Sequence, residues 1–532
     1  MEETRRRRND TSIKLRKNNK DEALAKRRHM TGSVATPNLV EEQMDANVTD
    51  TTSSSFVGGR RIYSVVDIPV LLGKLQNPLS NTEELLEGIK GFRRMLSAER
   101  DPPVQAVLDS GALELFIKLL DHNDPDIQFE AAWALTNVAS TEHTAVVVQY
   151  GAVPHLVKLL MSYNPNVREQ CAWCLGNIAG DSPELRDAVL NAGGLEPLLQ
   201  NIREPANASL LGNAVWTLSN FCRGKPQPDI ELVRPALPIL AFLTKCSIKE
   251  VVMDACWALS YLSDGSDERI DEVMNCDKDV PICNTLVELL DHDSTGIVTP
   301  VLRTLGNFVS GNDKQTQAVI DAGVIKYVFK LFKNSKRNIR KETFWLISNI
   351  AAGTKLQINV LMRSQALLQH VLTSVEDAEF EIRKEAMWVV NNIITGGSDQ
   401  HVEAVCALGA IRSLSSMLTV QDAKILTVVL GALEKVFAVG ERLNKNYALL
   451  FDEAEGIEHL EALQEHENEE VYEKSVLLLE QFFGAEEANE NENLEPKTDG
   501  NAFSFGVAQK LFEDDASDSP MQFNFTHRST NV

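Results

Sequence analysis

The stretch AAWALTNVA, residues 131–139, decides the fold of this chain, because its pattern returns along the sequence at a spacing of about forty residues. When the stretch is turned at about 100° per residue, its small and aliphatic side chains gather on one side of a helix. Trp133 and Asn137 are four residues apart and share the opposite side. A fixed period in this range is typical of a helical solenoid, in which each repeat stacks on its neighbours.

The motif Trp-x-x-x-Asn occurs in five copies, and two further helical segments carry variants in the same register. The five copies are Trp133/Asn137, Trp173/Asn177, Trp216/Asn220, Trp345/Asn349 and Trp388/Asn392, and the variants are Trp257/Tyr261 and Arg303/Asn307. An acid or an amide stands three residues before the Trp at Glu130, Gln170, Asn213, Asp254, Glu342 and Glu385. If the helices stack side by side, these residues form a row of indoles, amides and carboxylates along one groove, which we call the ladder.

Two interpretations of the ladder compete. A lone helical Trp usually packs between neighbouring repeats, because large aromatic side chains are usually buried. The regular recurrence with an Asn and a third polar residue favours a ligand-binding role instead.

The chemistry of the ladder predicts its ligand. Asn amides can donate to and accept from a peptide group. A slot between two indoles suits an aliphatic stem whose cation is attracted by the ring faces and by nearby carboxylates. Stacked helices lie about 8–10 Å apart and an extended peptide advances about 3.3–3.6 Å per residue, so roughly three ligand residues span one repeat. The expected ligand is a short, extended peptide rich in Lys and Arg.

Length and charge agree with this interpretation. A chain of 532 residues exceeds one ordinary globular core, and its net charge is −24. The first thirty residues hold eleven Lys and Arg against five Asp and Glu, a balance of +6, so the remainder carries −24 − 6 = −30. A strongly acidic body argues against direct nucleic-acid binding and favours basic protein partners.

Other composition features exclude several classes. The eight Cys are scattered through helical segments, which predicts small core residues in a reduced, intracellular compartment. Cys171 and Cys174 lack a second pair or a His at metal-ligand spacing, so we expect no metal and no cofactor. No apolar run approaches the length of a membrane span, and the N-terminus is too charged for a secretory signal.

The chain is expected to contain four parts. Residues 1–30 are basic and helix-permissive, residues 31–64 read as a flexible linker, residues 65–484 carry the helical repeats, and residues 485–532 read as a disordered acidic and polar tail. Within the repeats, a Gly that allows a left-handed turn precedes an amphipathic helix. These positions are Gly111, Gly151, Gly193, Gly323, Gly409 and Gly456. We therefore expect each repeat to consist of two long helices and a short one, and the chain to contain about ten repeats.

Gly-Ala turns at this period resemble the armadillo repeat, and the Trp-x-x-x-Asn ladder narrows the resemblance to the importin-α family. The basic residues of the N-terminal segment resemble that family's importin-β-binding segment. They are Arg5, Arg6, Arg7, Arg8, Lys14, Arg16, Lys17, Lys26, Arg27 and Arg28. The resemblance implies an all-α, right-handed superhelical armadillo solenoid. It also implies a nuclear import adaptor that binds Lys/Arg-rich nuclear localisation signals, links them to importin-β and is autoinhibited by its own basic segment. Such an adaptor shuttles between cytoplasm and nucleus and visits the nuclear pore.

The resemblance also assigns site residues. The implied major site consists of Trp133, Asn137, Thr144, Gln170, Trp173, Asn177, Asp181, Trp216 and Asn220. The implied minor site consists of Arg303, Asn307, Asp313, Trp345, Asn349, Glu385, Trp388 and Asn392. Asp181 matches the acid that holds the key lysine of the ligand, and Asp313 and Glu385 match the acids of the minor site. Arg303 would repel a lysine stem and favour an acidic or backbone contact.

The two ends of the chain carry further resemblances. Family members usually have more residues before the Arg run, which here begins at Arg5, and this predicts a reduced importin-β contact or a different use of the segment. The tail sequence FSFG at 503–506 resembles a nucleoporin repeat, although a solvated tail is the simpler interpretation. The stretch 466–472 resembles the region that the family presents to its nuclear export receptor.

Three other functions remain as alternatives. An armadillo scaffold of the adhesion or signalling kind would have a basic groove for acidic partners, and the acidic body and the ladder count against it. An enzyme would need a motif such as a P-loop, H-E-x-x-H, G-x-S-x-G or the Rossmann glycines in a strand context, and the sequence has none of them. Residues 1–30 alone would also suit an ordinary import signal or an RNA-binding arm.

Overall fold

The computed structural model describes residues 56–57, 60–98, 100–483, 497–499 and 502–504. The chain divides into two compact units, residues 1–413 and 414–532. Both units are built from α-helices in the part that the structure describes, with two very short strand pairs outside the helical repeats.

The first unit opens with a helix pair and continues with three-helix repeats. The opening pair is α1 Ile68–Gln76 and α2 Thr82–Leu96. The next helices are α3 Val104–Asp109, α4 Ala112–Leu119, α5 Pro125–Ala139, α6 Thr144–Gln149, α7 Ala152–Leu159, α8 Pro165–Asp181, α9 Pro183–Asn191, α10 Leu195–Arg203, α11 Ala208–Cys222, α12 Ile230–Val233, α13 Leu237–Leu243 and α14 Lys249–Leu262. They are followed by α15 Asp267–Met274, α16 Ile282–Leu289, α17 Thr295–Phe308, α18 Asp313–Asp321, α19 Ile325–Phe332, α20 Arg337–Ala351, α21 Lys355–Met362, α22 Gln365–Asp377, α23 Phe380–Gly396, α24 Asp399–Ala407 and α25 Ala410–Ser416.

The second unit begins within α25 and contains four more helices in its described part. They are α26 Ala423–Leu443, α27 Tyr447–Asp452, α28 Gly456–Ala462 and α29 Glu469–Phe482. Short 3-10 turns occupy Val65–Asp67, Arg234–Ala236 and Leu463–Glu465. Every third helix from α2 to α29 is a long one, which gives ten such helices in the described residues and confirms the prediction of about ten repeats. The prediction of two long helices and a short one in each repeat is wrong, because each full repeat has one long helix and two shorter ones.

The long helices begin where the sequence supplies a cap. Asp124 accepts a hydrogen bond from the backbone of Asp126 at the start of α5, and Asn164 does the same for Asn166 at the start of α8. Pro125 and Pro165 follow these caps at the first helical position, where a missing N–H is harmless. The same local signal therefore starts these two successive ladder helices at the same place in their repeats.

Glycines make the predicted turns before the second helix of a repeat. The backbone is left-handed at Gly111, Gly151, Gly193, Gly323 and Gly409, with φ between 76° and 103°. The prediction is wrong for Gly456, because Glu455 takes the left-handed conformation there, with φ 60°. Gly456 is needed for space instead, since a Cβ at this position would lie 2.4 Å from the ring of Phe451.

The core lies where each long helix packs on the long helix of the neighbouring repeat, as α5 does on α2 and α8. The small and aliphatic side chains that the pattern placed inward are fully buried, among them Ala131, Leu135 and Val138. Five of the eight cysteines are buried as core residues, and Cys246, Cys276 and Cys283 are half-buried. Burial raises the pKa of Cys174 to about 12, so this thiol is protonated at neutral pH.

Two short antiparallel strand pairs lie in segments for which the sequence predicts no regular structure. β1 Phe56–Val57 pairs with β2 Arg60–Arg61, and β3 Lys497–Asp499 pairs with β4 Ala502–Ser504. The sequence between the strands is Gly58-Gly59 in the first pair and Gly500-Asn501 in the second. Both are two-residue hairpin signals that the analysis missed. Apart from residues 62–64, the rest of the predicted linker and tail lies outside the described residues.

Candidate functional site

The ladder lies on every third helix of the first unit, and its tryptophans pack onto the preceding repeat. The ring of Trp216 lies over Gly176, where a Cβ would come 2.5 Å from ring atom Cζ3, and Trp345 lies over Gly306, where the same distance would be 2.0 Å. Trp173, Trp216 and Trp345 are buried, while Trp133 and Trp388 are half-buried. The indoles are therefore fixed by the neighbouring repeat rather than by their own helix.

The residue beneath Trp216 and beneath Trp345 is a glycine, and a small residue recurs at the corresponding place in the other ladder helices, which the repeated motif did not reveal. It stands immediately before the Asn, or before the variant Tyr261, of its ladder helix. The residue at this position is Gly, Ser or Thr in six ladder helices, and it is Asn391 in the last one. The small residues are Thr136, Gly176, Ser219, Ser260, Gly306 and Ser348. The signal was present in the sequence as a small side chain at the same place in each repeat.

Three of the asparagines tie their ladder helix to the preceding ladder helix through a backbone carbonyl. The side-chain nitrogen of Asn177 donates to the Thr136 carbonyl at 3.2 Å, and that of Asn220 donates to the Gly176 carbonyl at 2.9 Å. In the later repeats, Asn392 donates to the Ser348 carbonyl at 2.7 Å. The amides were expected to face a ligand, and one N–H of each is used within the protein instead. An amide has further donor and acceptor capacity, so this bond fixes its orientation without exhausting it.

The remaining two bonds of this kind use a hydroxyl as well. Asn307 donates to the Ser260 carbonyl at 2.9 Å and to the Ser263 hydroxyl at 3.1 Å. Asn137 donates to the Ser97 hydroxyl at 2.8 Å. Two buried amide atoms of the ladder, Asn137 Oδ1 and Asn349 Nδ2, have no hydrogen-bond partner in the structure. A buried polar atom without a partner costs about 1–3 kcal/mol.

An arginine of the chain itself fills the first indole slot. Arg93 on α2 donates from Nε to Glu130 Oε2 at 2.7 Å and from Nη2 to Glu130 Oε1 at 3.3 Å. Its guanidinium carbon stands 4.1 Å from the centre of the Trp133 ring. Both side chains of the ion pair are less than a tenth exposed. Glu130 and Trp133 are three residues apart on α5, and they hold the guanidinium of Arg93 between the carboxylate and the indole ring.

A second arginine marks the middle of the ladder. Arg303 pairs with Glu342 at 3.1 Å, and its guanidinium carbon lies 5.8 Å from the ring of Trp257. Trp257 in turn stacks on Tyr261 with the ring centres 5.8 Å apart. The acidic contact expected for Arg303 is made within the chain, so the ladder is interrupted by an internal cation between its two halves.

The other predicted site residues are placed as follows. Gln170 is buried and donates to the Thr136 hydroxyl at 2.7 Å. Thr144 is buried, with its hydroxyl 2.7 Å from the Thr141 carbonyl. Asp181 ends α8 and is exposed, Asp313 begins α18 and is exposed, and Glu385 is buried three residues before Trp388.

Several predicted functional residues lie outside the described residues, so the structure gives no account of them. These are Arg5, Arg6, Arg7, Arg8, Lys14, Arg16, Lys17, Lys26, Arg27 and Arg28, together with Phe505 and Gly506 of the tail. Within the described ranges, no group of three or more His, Cys, Asp and Glu side chains is arranged to hold a metal ion. Over the same ranges, no helix is both long and apolar enough to cross a membrane.

Family models match both ends and the middle of the chain. Residues 1–58 match the importin beta binding domain. Residues 100–140, 140–180, 182–223 and 312–352 match the armadillo/beta-catenin-like repeat, and residues 445–497 match the atypical Arm repeat.

Curated relatives cover almost the whole chain. Importin subunit alpha-1a of Oryza sativa subsp. japonica is 42% identical over 91% of this chain and 90% of its own length. Importin subunit alpha-3 of Arabidopsis thaliana is 40% identical over 98% of this chain and 96% of its own. Importin subunit alpha-B of Dictyostelium discoideum is 38% identical over 95% and 94%.

A solved structure supports the same fold. The crystal structure of an engineered protein, with 26% sequence identity, aligns with a TM-score of 0.70 over 78% of this chain and 98% of that chain. The repeats, the N-terminal domain match and the relatives together show that the chain belongs to the importin-α family of non-enzymatic nuclear import adaptors.

Proposed function

We propose that the ladder binds the extended, Lys/Arg-rich nuclear localisation signals of cargo proteins, while the N-terminal segment links the loaded adaptor to importin-β. The observation that carries the proposal is the internal cation at the first slot. Arg93 lies between an indole face and a carboxylate at van der Waals and hydrogen-bond distances. Later helices repeat the same indole at the same place, with an amide at Gln170 and Asn213 or an acid at Glu385 three residues before it, so a cation of a bound peptide would again meet an indole face beside a polar group.

The asparagines support an extended backbone as the ligand. The side-chain nitrogens of Asn177, Asn220 and Asn392 are held by carbonyls of the preceding repeat, so these three amide planes are fixed before a peptide arrives. Asn137 Oδ1 and Asn349 Nδ2 are a buried acceptor and a buried donor without partners, one in each proposed site. A peptide N–H and a peptide C=O are the groups that would satisfy them. This pairing does not depend on ligand side chains, which suits one groove for many cargoes.

The ladder is proposed to form two sites. The major site uses the motifs of α5, α8 and α11, and the minor site uses those of α17, α20 and α23. Between them, Arg303 takes up Glu342 and leans on Trp257, so a second cation would meet repulsion and a neutralised acid. Two short basic clusters joined by a spacer therefore fit this arrangement better than one continuous basic run.

Charge favours a basic ligand and a basic regulatory segment. The chain outside its first thirty residues carries −30, as worked out above. Asp181 and Asp313 are exposed at the ends of ladder-flanking helices and would meet lysine head groups at the major and minor sites. We further propose that Lys26, Arg27 and Arg28 compete for the groove when importin-β is absent. A nuclear export receptor at the last repeat, nucleoporins at the tail and a transient location at the pore stay predictions.

The experiment that tests the proposal removes one indole and its amide. Trp173→Ala with Asn177→Ala should weaken the binding of a single-cluster basic peptide, measured by calorimetry. A lost cation–π contact costs about 0.5–2 kcal/mol, and a lost peptide hydrogen bond about 0.5–1.5 kcal/mol. The matched control is Trp257→Ala with Tyr261→Ala, the same pair of positions between the sites, which should leave the affinity unchanged. Equal affinity for the first double variant and the wild type would reject the groove as the binding site.

A further inference from the structure

A cluster of exposed cations lies on α19 and at the start of α20, among residues that are not part of the ladder motif. Its members lie on the exposed side of α19 and in the turn into α20. We call this surface the basic patch, and it consists of Lys326, Phe329, Lys330, Lys333, Lys336 and Arg337, all of them exposed. The chain as a whole has 76 acidic and 52 basic residues, yet residues 326–337 contain five cations and no acid.

Helical spacing brings these residues to one face. Lys326, Lys330 and Lys333 follow one another at four and three residues, so their side chains line up along α19. Lys336 caps α20 and Arg337 is its first residue, which continues the cationic surface past the end of α19. Phe329 lies within this row and exposes 39% of its surface.

Few of these charges are neutralised inside the protein. Lys330 pairs with Asp291, which lies two residues after the end of α16. Just beyond the patch, Arg340 pairs with Glu379 at 3.1 Å. Among the described residues, the other four cations of the patch make no ion pair. Two of them lie over aromatic rings instead, Lys326 at 5.4 Å from the Tyr327 ring centre and Lys333 at 4.5 Å from that of Phe329.

The positive charge of the patch also affects the pKa of a neighbouring histidine, His370. His370 on α22 packs against Phe332 with ring centres 4.9 Å apart and against Phe329 at 5.8 Å. Burial lowers the pKa of His370, and the positive charge of Lys333 lowers it further. The patch therefore repels an added positive charge, and by the same field it attracts a negative one.

We propose that the basic patch is a docking site for a short acidic peptide of a partner protein. From Lys326 to Lys333 the helix advances about 10 Å, which roughly three residues of an extended peptide would span. The exposed Phe329 ring offers an apolar contact between the charges. The site is distinct from the ladder in position and opposite to it in charge, so it does not depend on the proposed cargo groove.

The surroundings of the patch favour a short peptide over a longer polyanion. Asp291 and Glu379 stand at its two sides, and the chain carries a net charge of −24. A nucleic acid, with one charge per about 1.7 Å of duplex, would run past the patch into this acidic surface. An anionic membrane would meet the same repulsion over a still wider area. A few carboxylates that end within the patch avoid it.

The test compares two triple charge reversals in the full-length protein. The patch variant is Lys326→Glu, Lys333→Glu and Arg337→Glu. The control is Lys118→Glu, Lys245→Glu and Lys249→Glu, three exposed lysines elsewhere on the first unit. Each variant changes the net charge from −24 to −24 − 6 = −30. A difference in peptide affinity between them therefore reflects the position of the changed residues and not the total charge. Both variants keep residues 1–30, so any binding of an acidic peptide by this basic segment is the same in the patch variant and in the control.

The probe is a fluorescein-labelled peptide of eight glutamates, with fluorescence anisotropy as the readout and a photo-crosslinker on the peptide to map its contacts. The patch variant should bind it about tenfold or more weakly than the control, because a like charge replaces an attracting one. Crosslinks in the wild type should fall within residues 326–337. In parallel arms, a single-stranded oligonucleotide and phosphatidylserine vesicles should not distinguish the two variants.

Equal peptide affinity for the patch variant and the control would overturn the proposal. It would also be overturned if the oligonucleotide or the vesicles lost binding in the patch variant and the peptide did not. Unchanged circular dichroism and unchanged binding of a basic peptide at the ladder show that the patch variant is folded.

Discussion

At the scale of single residues, the most informative group is the buried cluster of Arg93, Glu130 and Trp133. An ion pair this well buried is held because hydrogen bonds and an aromatic face replace lost water. Sequence alone did not point to Arg93, because it lies 37 residues before Glu130 and outside the repeated motif. The cluster closes the first slot of the ladder from within, so ligand cations are expected at the later indoles.

Removing this arginine should destabilise the N-terminal repeats. Arg93→Met leaves the carboxylate of Glu130 buried without its partner, which typically costs about 3–5 kcal/mol. The double variant Arg93→Met with Glu130→Met removes both charges and should recover most of the loss. The measurement is the denaturant midpoint of the full chain by circular dichroism. A double variant that is as unstable as the single one would show that packing and not charge holds this corner.

Asp181 should be the acid that selects lysine at one position of a cargo peptide. Its side chain is exposed at the end of α8, so a charge reversal there is tolerated by the fold. Asp181→Lys should reduce binding of a single-cluster basic peptide below detection by repulsion, while Glu204→Lys, an exposed acid just after α10, should not. Fluorescence anisotropy with the same labelled peptide measures both variants. Wild-type affinity in the Asp181 variant would remove this residue from the site.

At the scale of helices, the ladder depends on how closely consecutive long helices approach. Gly176 and Gly306 admit the indoles of Trp216 and Trp345 to distances that no Cβ would allow. The bond from Asn220 to the Gly176 carbonyl holds the register between these two helices. Binding geometry and repeat packing are therefore set by one set of contacts.

Adding one methyl group at this contact should disturb both the packing of the repeats and the binding of a peptide. Gly306→Ala would place a Cβ 2.0 Å from the Trp345 ring, so the ring must move. Such overpacking costs about 1–3 kcal/mol. The matched control is Gly212→Ala in α11, where nothing lies within 4 Å of the new Cβ. That change should be neutral or stabilise by up to about 1 kcal/mol, because Ala favours a helix over Gly.

The two variants are compared by thermal melting and by calorimetry with basic peptides. Gly306→Ala should lower the melting temperature and weaken binding at the minor site, and leave a peptide specific for the major site unaffected. A Gly306 variant that melts like the Gly212 variant would contradict the close approach.

The helical elements could be predicted from sequence because their signals are local. Periodicity placed Leu135 and Val138 in the core, and a Gly that permits a left-handed turn marked five of the six turns named in advance. The same rule failed at Gly456, because the sequence does not distinguish a glycine needed for φ from one needed for space. The contacts of Asn177 with Thr136 and of Arg303 with Glu342 were also missed, since each joins residues about forty positions apart. Their register follows from the packing of repeats, which no local pattern contains.

At the scale of the whole molecule, charge is divided along the chain. The first thirty residues carry +6 and the rest −30, and only the basic patch breaks the acidity of the repeats so strongly. A tethered cationic segment and an acidic groove-bearing body attract each other at low ionic strength. The sequence predicts a flexible linker over residues 31–64, and a random-coil chain of that length would span roughly 30 Å. An intramolecular ligand on such a tether reaches an effective concentration in the millimolar range.

Autoinhibition is therefore the last prediction. Replacing Lys26, Arg27 and Arg28 with Ala should raise the affinity of the free protein for a basic peptide, because the competing intramolecular ligand is lost. The control replaces Lys14, Arg16 and Lys17 with Ala, which removes the same charge from another part of the segment and should leave the affinity nearly unchanged. Saturating importin-β should raise the affinity of the wild type to that of the first variant, since two ligands that share one equilibrium favour each other. Calorimetry measures all four states, and equal affinities for the wild type and the Lys26 variant without importin-β would end the inhibitory model.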